Sequence, residues 1–322
     1  MKKLLCSVIL VLLASLAAAE ETIWTSDIAA AKERAAKEGK SLFIVLIGSD
    51  WTPQSKIFDE NILSKPEFIT GVVKDYVPVL IDFPKDTPLL PELKKQNENF
   101  AKFVSLSGLP SIVLMDTSGR VYAMQRGFRA DLTPEQLFKD LAVFEEVKIH
   151  RDMCFAQAEV AETDNEKALL YHNALLALYV TGVFDGFSLY GYDKEIAAIL
   201  KGDPENKSRM TVGWDYQKTI ITSRDSLLEK KYAEAIAPLD EFAKKYAGTP
   251  SKNFAQKALY AKAQVQAMGK DSNGCIATLT EVVAMDPESE FGKEAAKVLV
   301  QIAQLAKEDL PPGHPPVEES KK

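Results

Sequence analysis

The sequence predicts an α/β domain with a mixed central sheet and helices on both faces, followed by an all-α domain of helical hairpins. Three observations carry this reading. Apolar runs at 42–47, 76–82 and 111–115 alternate with helix-start signals, the pattern of strands covered on both faces. From about residue 148 that pattern gives way to alanine-rich helical periodicity. The chain has 322 residues, more than one typical core holds, so two domains are expected.

Lys2 and Lys3, an apolar stretch from Leu4 to Leu16 and Ala17-Ala18-Ala19 before Glu20 form a signal peptide, with cleavage expected after Ala19. The apolar stretch is shorter than the ~20 residues of a membrane-spanning helix. An uncleaved anchor is the alternative. The expected divisions are a signal peptide at 1–19, the α/β domain at 20–147, the helical domain at 148–308 and a proline-rich disordered tail at 309–322. With 39 Lys plus Arg against 46 Asp plus Glu the chain is acidic, which excludes nucleic acid as an expected partner. Of three cysteines, Cys6 leaves with the signal, so Cys154 and Cys275 remain, too few for a disulfide framework.

Taken in order, Ser26 is expected to cap a short helix that stops at Gly39. Leu42 to Ile47 is the first strand, closed by Gly48-Ser49-Asp50-Trp51, and Thr52-Pro53 supplies an N-cap with proline at the first helical position. Ser64-Lys65-Pro66-Glu67 fits a capping box. Tyr76 to Asp82 reads as a second strand, and Glu92 to Val104 as a helix with Leu93, Phe100 and Phe103 inward. Ser111 to Met115 and Arg120 to Met124 form a hairpin around Asp116-Thr117-Ser118-Gly119, and Thr133-Pro134-Glu135-Gln136 caps the last helix.

These residues resemble the thioredoxin superfamily over about 22–147. Trp51 stands where a tryptophan precedes the first redox cysteine, Gly108-Leu109-Pro110-Ser111 matches the segment whose proline is cis, and Asp116 to Gly119 joins the last two strands. The resemblance implies a Cys-x-x-Cys at the following helix start, but this chain has Thr52-Pro53-Gln54-Ser55. Dithiol exchange needs a thiolate, which a helix N-terminus favours, and an alcohol cannot form a mixed disulfide. Thr52 is therefore expected to serve as an N-cap. An activated Thr52 or Ser55 nucleophile needs a base, and His150, His172 and His314 all lie outside the matched stretch. The resemblance also implies that Pro110 presents a backbone edge to an extended peptide, making Trp51, Thr52 and Pro110 candidate contact residues. A purely structural role for Pro110 stays open.

In the second half, Tyr232-Ala233-Glu234-Ala235-Ile236 with Leu239 and Phe242 aligns with Gly274-Cys275-Ile276, Leu279 and Val282 at a spacing of 40. These segments resemble tetratricopeptide-type helix pairs, though that spacing exceeds the standard ~34. An earlier copy at Ala168-Leu169 with Leu175 would put Leu239 on His172. Cys275 falls on Ala235 and reads as a small packing residue, as does Cys154; a bridge between them stays open. Phe184, Phe187, Tyr190, Tyr192, Trp214 and Tyr216 crowd the segment 182–216, either as core or as a recognition surface. No residue set points to a catalytic centre, a cofactor or a metal. The expectation is a non-enzymatic, exported periplasmic or secreted protein that binds a protein or peptide partner. It has no integral membrane segment after signal cleavage. The alternative is a thiol-disulfide oxidoreductase using a non-standard thiol.

Overall fold

The computed structural model describes residues 23–181 and 191–308. The expected signal peptide and tail, and Phe184, Phe187 and Tyr190, lie outside the described residues. The rest groups into two compact units, one holding 23–154 with 174–181 and 191–192, the other 155–173 with 193–308.

The first unit is built on four strands, β1 (Ser41–Ile47), β2 (Tyr76–Asp82), β3 (Ser111–Met115) and β4 (Val121–Arg126), in the order β2-β1-β3-β4. β1 runs parallel to β2 and antiparallel to β3, and β3 and β4 close as an antiparallel hairpin, so the sheet is mixed. All seven residues of β1 are buried, as an unbroken apolar run requires. Phe43 packs on Phe68 and Tyr76 with ring centroids 5.5 and 6.1 Å apart. Burial of each such side chain stabilises the unit by about 1.5–3 kcal/mol.

Helix α1 (Ile28–Glu38) ends at Gly39, whose φ of 65° is the left-handed conformation that glycine adopts without a Cβ penalty. Its N-cap is Asp27, not Ser26: the Asp27 carboxylate accepts from the N–H groups of Ala29 and Ala30 at 2.9 and 3.0 Å. Helix α2 (Pro53–Phe58) continues into a π-turn over Asp59–Leu63. The expected capping box at Ser64 does not form, because Ser64 Oγ donates to Asp59 Oδ1 at the end of that turn. Lys65 takes the N-cap position of α3 (Pro66–Asp75) without a side-chain bond. In α4 (Pro91–Phe103), Phe100 and Asn97 are buried, while Leu93 and Phe103 are half-buried.

Helix α5 (Pro134–Glu159) begins with Thr133 Oγ1 accepting from Gln136 N at 3.2 Å. Its Arg151, 2% exposed, donates to Asp116 Oδ2 at 2.8 Å and to the Tyr192 hydroxyl at 2.7 Å, and Tyr192 donates on to Val121 O. Thr181 Oγ1 donates to Tyr122 O at 2.7 Å. Tyr76 and Tyr122 both donate to Glu145 Oε1. The β3–β4 hairpin is thus anchored by residues well downstream of it.

The second unit is helical. It takes the first part of α6 (Asp164–Ala177), then α7 (Asp193–Gly202), α8 (Thr211–Leu228), α9 (Tyr232–Tyr246), α10 (Lys252–Met268), α11 (Ser272–Met285) and α12 (Glu290–Glu308). From α8 on, consecutive helices pack on one another. Ala235, Leu239 and Phe242 are buried, and so are Cys275, Leu279 and Val282, which the alignment pairs with them. Ile276 is exposed where Ile236 is half-buried, so the shared face is narrower than the aligned residues. Trp214 and Tyr216 are core residues here, and Tyr192 is core in the first unit.

Candidate functional site

The register of the sheet decides which loops meet. Leu46 pairs with Ser111, so the loop leaving β1 at Gly48 and the loop entering β3 at Leu109-Pro110 share one end of the sheet. The Leu109-Pro110 peptide bond is cis.

At the start of α2, the two positions where the resemblance implies thiols hold hydroxyls. Thr52 and Ser55 are 6% and 1% exposed. Their oxygens are hydrogen-bonded to each other, Thr52 Oγ1 lies 3.0 Å from Gly48 O, and Gly48 N–H donates to Ser55 Oγ at 3.1 Å. Each hydroxyl carries one hydrogen, so the circuit closes when Ser55 donates to Thr52 and Thr52 donates to the Gly48 carbonyl. Thr52 occupies the N-cap position but its side chain makes no capping bond, because it is turned back to Gly48. The expected side-chain cap is therefore replaced by a bond that closes the loop. No histidine lies between residues 23 and 117 to act as a base for either oxygen.

The neighbouring loop, 82–86, carries no motif in the sequence, yet it holds the site in place. Asp82 accepts from Ser49 N at 3.0 Å and from Ser49 Oγ at 2.5 Å. Asp50 accepts from the backbone N–H groups of Lys85 and Asp86, and these bonds hold its carboxyl below the usual range. Trp51 donates from Nε1 to Phe83 O at 2.8 Å, and Lys85 Nζ sits 3.8 Å above its ring. The available signal was the parallel pairing of two strands, which puts their C-terminal loops side by side.

The three candidate contact residues differ in access. Trp51 is 42% exposed, whereas Thr52 and Pro110 are buried. The expected free backbone edge is not on Pro110, which has no N–H and whose carbonyl accepts from Gly127 N at 2.8 Å. It falls one residue earlier: half-buried Leu109 has neither backbone group hydrogen-bonded among the described residues. Gln54 is exposed and Pro53 supplies the first turn of α2.

The two cysteines are free and buried, and burial raises both thiols above their ordinary value. Cys154 Sγ lies 3.7 Å from His150 Nε2. His172 is half-buried and accepts on Nδ1 from Trp214 Nε1 at 2.8 Å. Among the described residues no cluster of His, Cys, Asp and Glu is arranged to hold a metal, and no helix is long and apolar enough to cross a membrane.

A family described as thioredoxin-like matches residues 23–117. The chain is similar to the thioredoxin-related protein DsbJ of Chlamydia pneumoniae, at 27% identity over 101 residues, which is 31% of this chain and 29% of that relative's length. A solved structure named DsbH oxidoreductase is similar at 23% identity and a TM-score of 0.36, over 38% of this chain and 83% of that one.

Proposed function

From the premise that the N-terminal part of this chain is a thioredoxin-like domain related to Dsb proteins, we propose that it is an exported, non-catalytic binding protein. In this reading the domain holds extended protein or peptide segments reversibly. The observation that carries this is the hydroxyl pair: Thr52 and Ser55 occupy both thiol positions, buried and hydrogen-bonded to each other and to Gly48. That arrangement has no thiolate to attack a disulfide and no base to activate an alcohol. What it keeps is a half-exposed aromatic ring at Trp51 and an unpaired peptide unit at Leu109, at one end of one sheet. Main-chain bonds to Leu109 would give affinity, and the Trp51 ring would add apolar contact. The helical unit, with aligned hairpins of the tetratricopeptide kind, would provide a second protein-binding surface.

The test combines activity and affinity. The protein should not reduce insulin, and Trp51→Ala should weaken binding of a partner recovered by cross-linking in the native envelope by ~1–3 kcal/mol. Its melting temperature should change little, since Trp51 is not core. Insulin reduction by the wild-type protein would reject the reading.

The competing reading, a thiol-disulfide oxidoreductase acting through a non-standard thiol, has one contact in its favour, Cys154 beside His150. Against it, the Cys154 thiol is buried and its pKa raised.

A further inference from the structure

The outer edge of β2 has a gap in its pairing. Because β1 and β2 are parallel, alternate residues of β2 turn their backbone groups away from β1: Tyr76, Pro78, Leu80 and Asp82. Tyr76 N–H donates to Val72 O, the end of α3. Pro78 has no N–H, and its carbonyl accepts from Thr25 N at 3.3 Å, while Leu80 N donates to Thr25 O at 2.8 Å. Thr25 thus adds a single parallel bridge at Val79. The chain then leaves the edge, because Asp27 caps α1. The next two groups in the row, the Leu80 carbonyl and the Asp82 N–H, have no hydrogen bond among the described residues.

Helix α4 closes part of this gap with amides. Asn97 Nδ2 donates to Asp82 O at 2.9 Å, and Gln96 bridges Ser26 O and Ile28 N. Beside the two remaining groups is a cavity of about 300 Å³, walled by Trp24, Leu80, Leu89 and Leu93 and bounded by Asp82 and Asn97. A free acceptor and a free donor two residues apart, next to an apolar pocket, match the backbone and one apolar side chain of an extended strand.

We infer that an extended, apolar segment of a partner protein adds to β2 at Leu80–Asp82, continuing the row that Thr25 begins. It donates to the Leu80 carbonyl, accepts from the Asp82 N–H, and seats one apolar side chain among Trp24, Leu89 and Leu93. This surface is separate from the Trp51 and Leu109 patch. The two share Asp82, whose carboxylate holds Ser49. Edge pairing takes an uncharged β-former and tolerates no proline in the paired stretch.

The test is a nitrogen–proton shift titration of the full chain with three pentapeptides, threonine at alternate positions and valine, leucine or phenylalanine between. Each is compared with two versions N-methylated at alternate residues, one for each side of the strand. The expected result is saturable movement of the Asp82 amide and the Trp24 indole with at least one peptide. One N-methylated version should lose at least tenfold in affinity while the other keeps it. Leu93→Asp should remove the response while leaving the amide spectrum of the rest of the sheet in place. The inference is overturned if no peptide moves the Asp82 amide saturably, or if both N-methylated versions bind equally. Shifts confined to Trp51 and Leu109 would also overturn it, while supporting the separate patch.

Discussion

Arg151 Nη2 donates to Asp116 Oδ2 at 2.8 Å across 35 residues of sequence, joining the far part of helix α5 to the turn between β3 and β4. Asp116 is also fixed from the other side, where Oδ1 accepts from Ser118 N and Arg120 N. Arg151 also pairs with Asp152 at 2.7 Å, so it is the removal of Arg151 that leaves a charge, the buried Asp116 carboxylate, without its cation. Arg151→Ala should therefore destabilise the first unit by about 3–5 kcal/mol. Adding Asp116→Asn should cost less than the sum of the single changes. Urea unfolding of the four proteins in the cycle reads both values, and additive losses would mean the pair is not coupled.

The hydroxyl pair makes a restoration experiment possible. Thr52→Cys with Ser55→Cys puts two thiols where two bonded oxygens now stand, at the first turn of α2. The double variant should form a disulfide and reduce insulin when supplied with dithiothreitol, because the helix N-terminus lowers the first thiol's pKa. A double variant that stays fully reduced under air would show that these two positions do not occupy the redox geometry.

Trp214 needs His172 to be neutral, since only an unprotonated Nδ1 accepts the indole N–H. Burial lowers the His172 pKa below the ordinary 6.5. As pH falls the unfolded chain therefore binds a proton first. The stability that neutral His172 gives is complete above about pH 6.5 and is lost as pH falls towards the folded value. The thermal midpoint should drop between about pH 7.5 and about pH 5.5, with a change in Trp214 emission. His172→Gln, which keeps an acceptor without a titration, should flatten that slope. An unchanged slope would place the proton elsewhere.

Burial raises the thiol pKa of both Cys154 and Cys275. Each should react with an aromatic disulfide reagent at about pH 8 more slowly than a free cysteine, since the thiolate is the reacting form. Changing both to Ala should cost roughly 1 kcal/mol per site, as expected for a small packing group. Fast labelling of Cys154 in the folded protein would revive the role of its His150 contact.

The strands were legible because each is a short apolar run whose burial on both faces leaves a mark in composition. Tyr76–Asp82 and Ser111–Met115 stand where the runs do. Caps were less legible: Ser26 and Asp27 both suit an N-cap, and which one bonds depends on where the backbone turns. The hydroxyls at Thr52 and Ser55 were visible as missing cysteines, but their bond back to Gly48 needs the loop conformation. Arg151, Asp82 and Lys85 were invisible as site residues because nothing local distinguishes them; pairing across 33 to 35 residues gives them their roles. Trp214 and Tyr216 were readable only as aromatics, and packing made them core.

The unbroken run of α5 from Pro134 to Glu159 bears on where this chain can be cut. The stretch that matches the thioredoxin-like family stops at residue 117, one residue past Asp116, whose buried counter-ion lies far along α5. A segment copied or recombined at that limit would carry Asp116 away from its guanidinium and the hairpin away from Tyr192. The sheet lies within or beside the matched stretch, but part of its support, Arg151 and Tyr192, lies outside it. Sequence beyond the matched stretch is part of what holds the sheet together, so a cut at residue 117 would not leave a self-supporting domain.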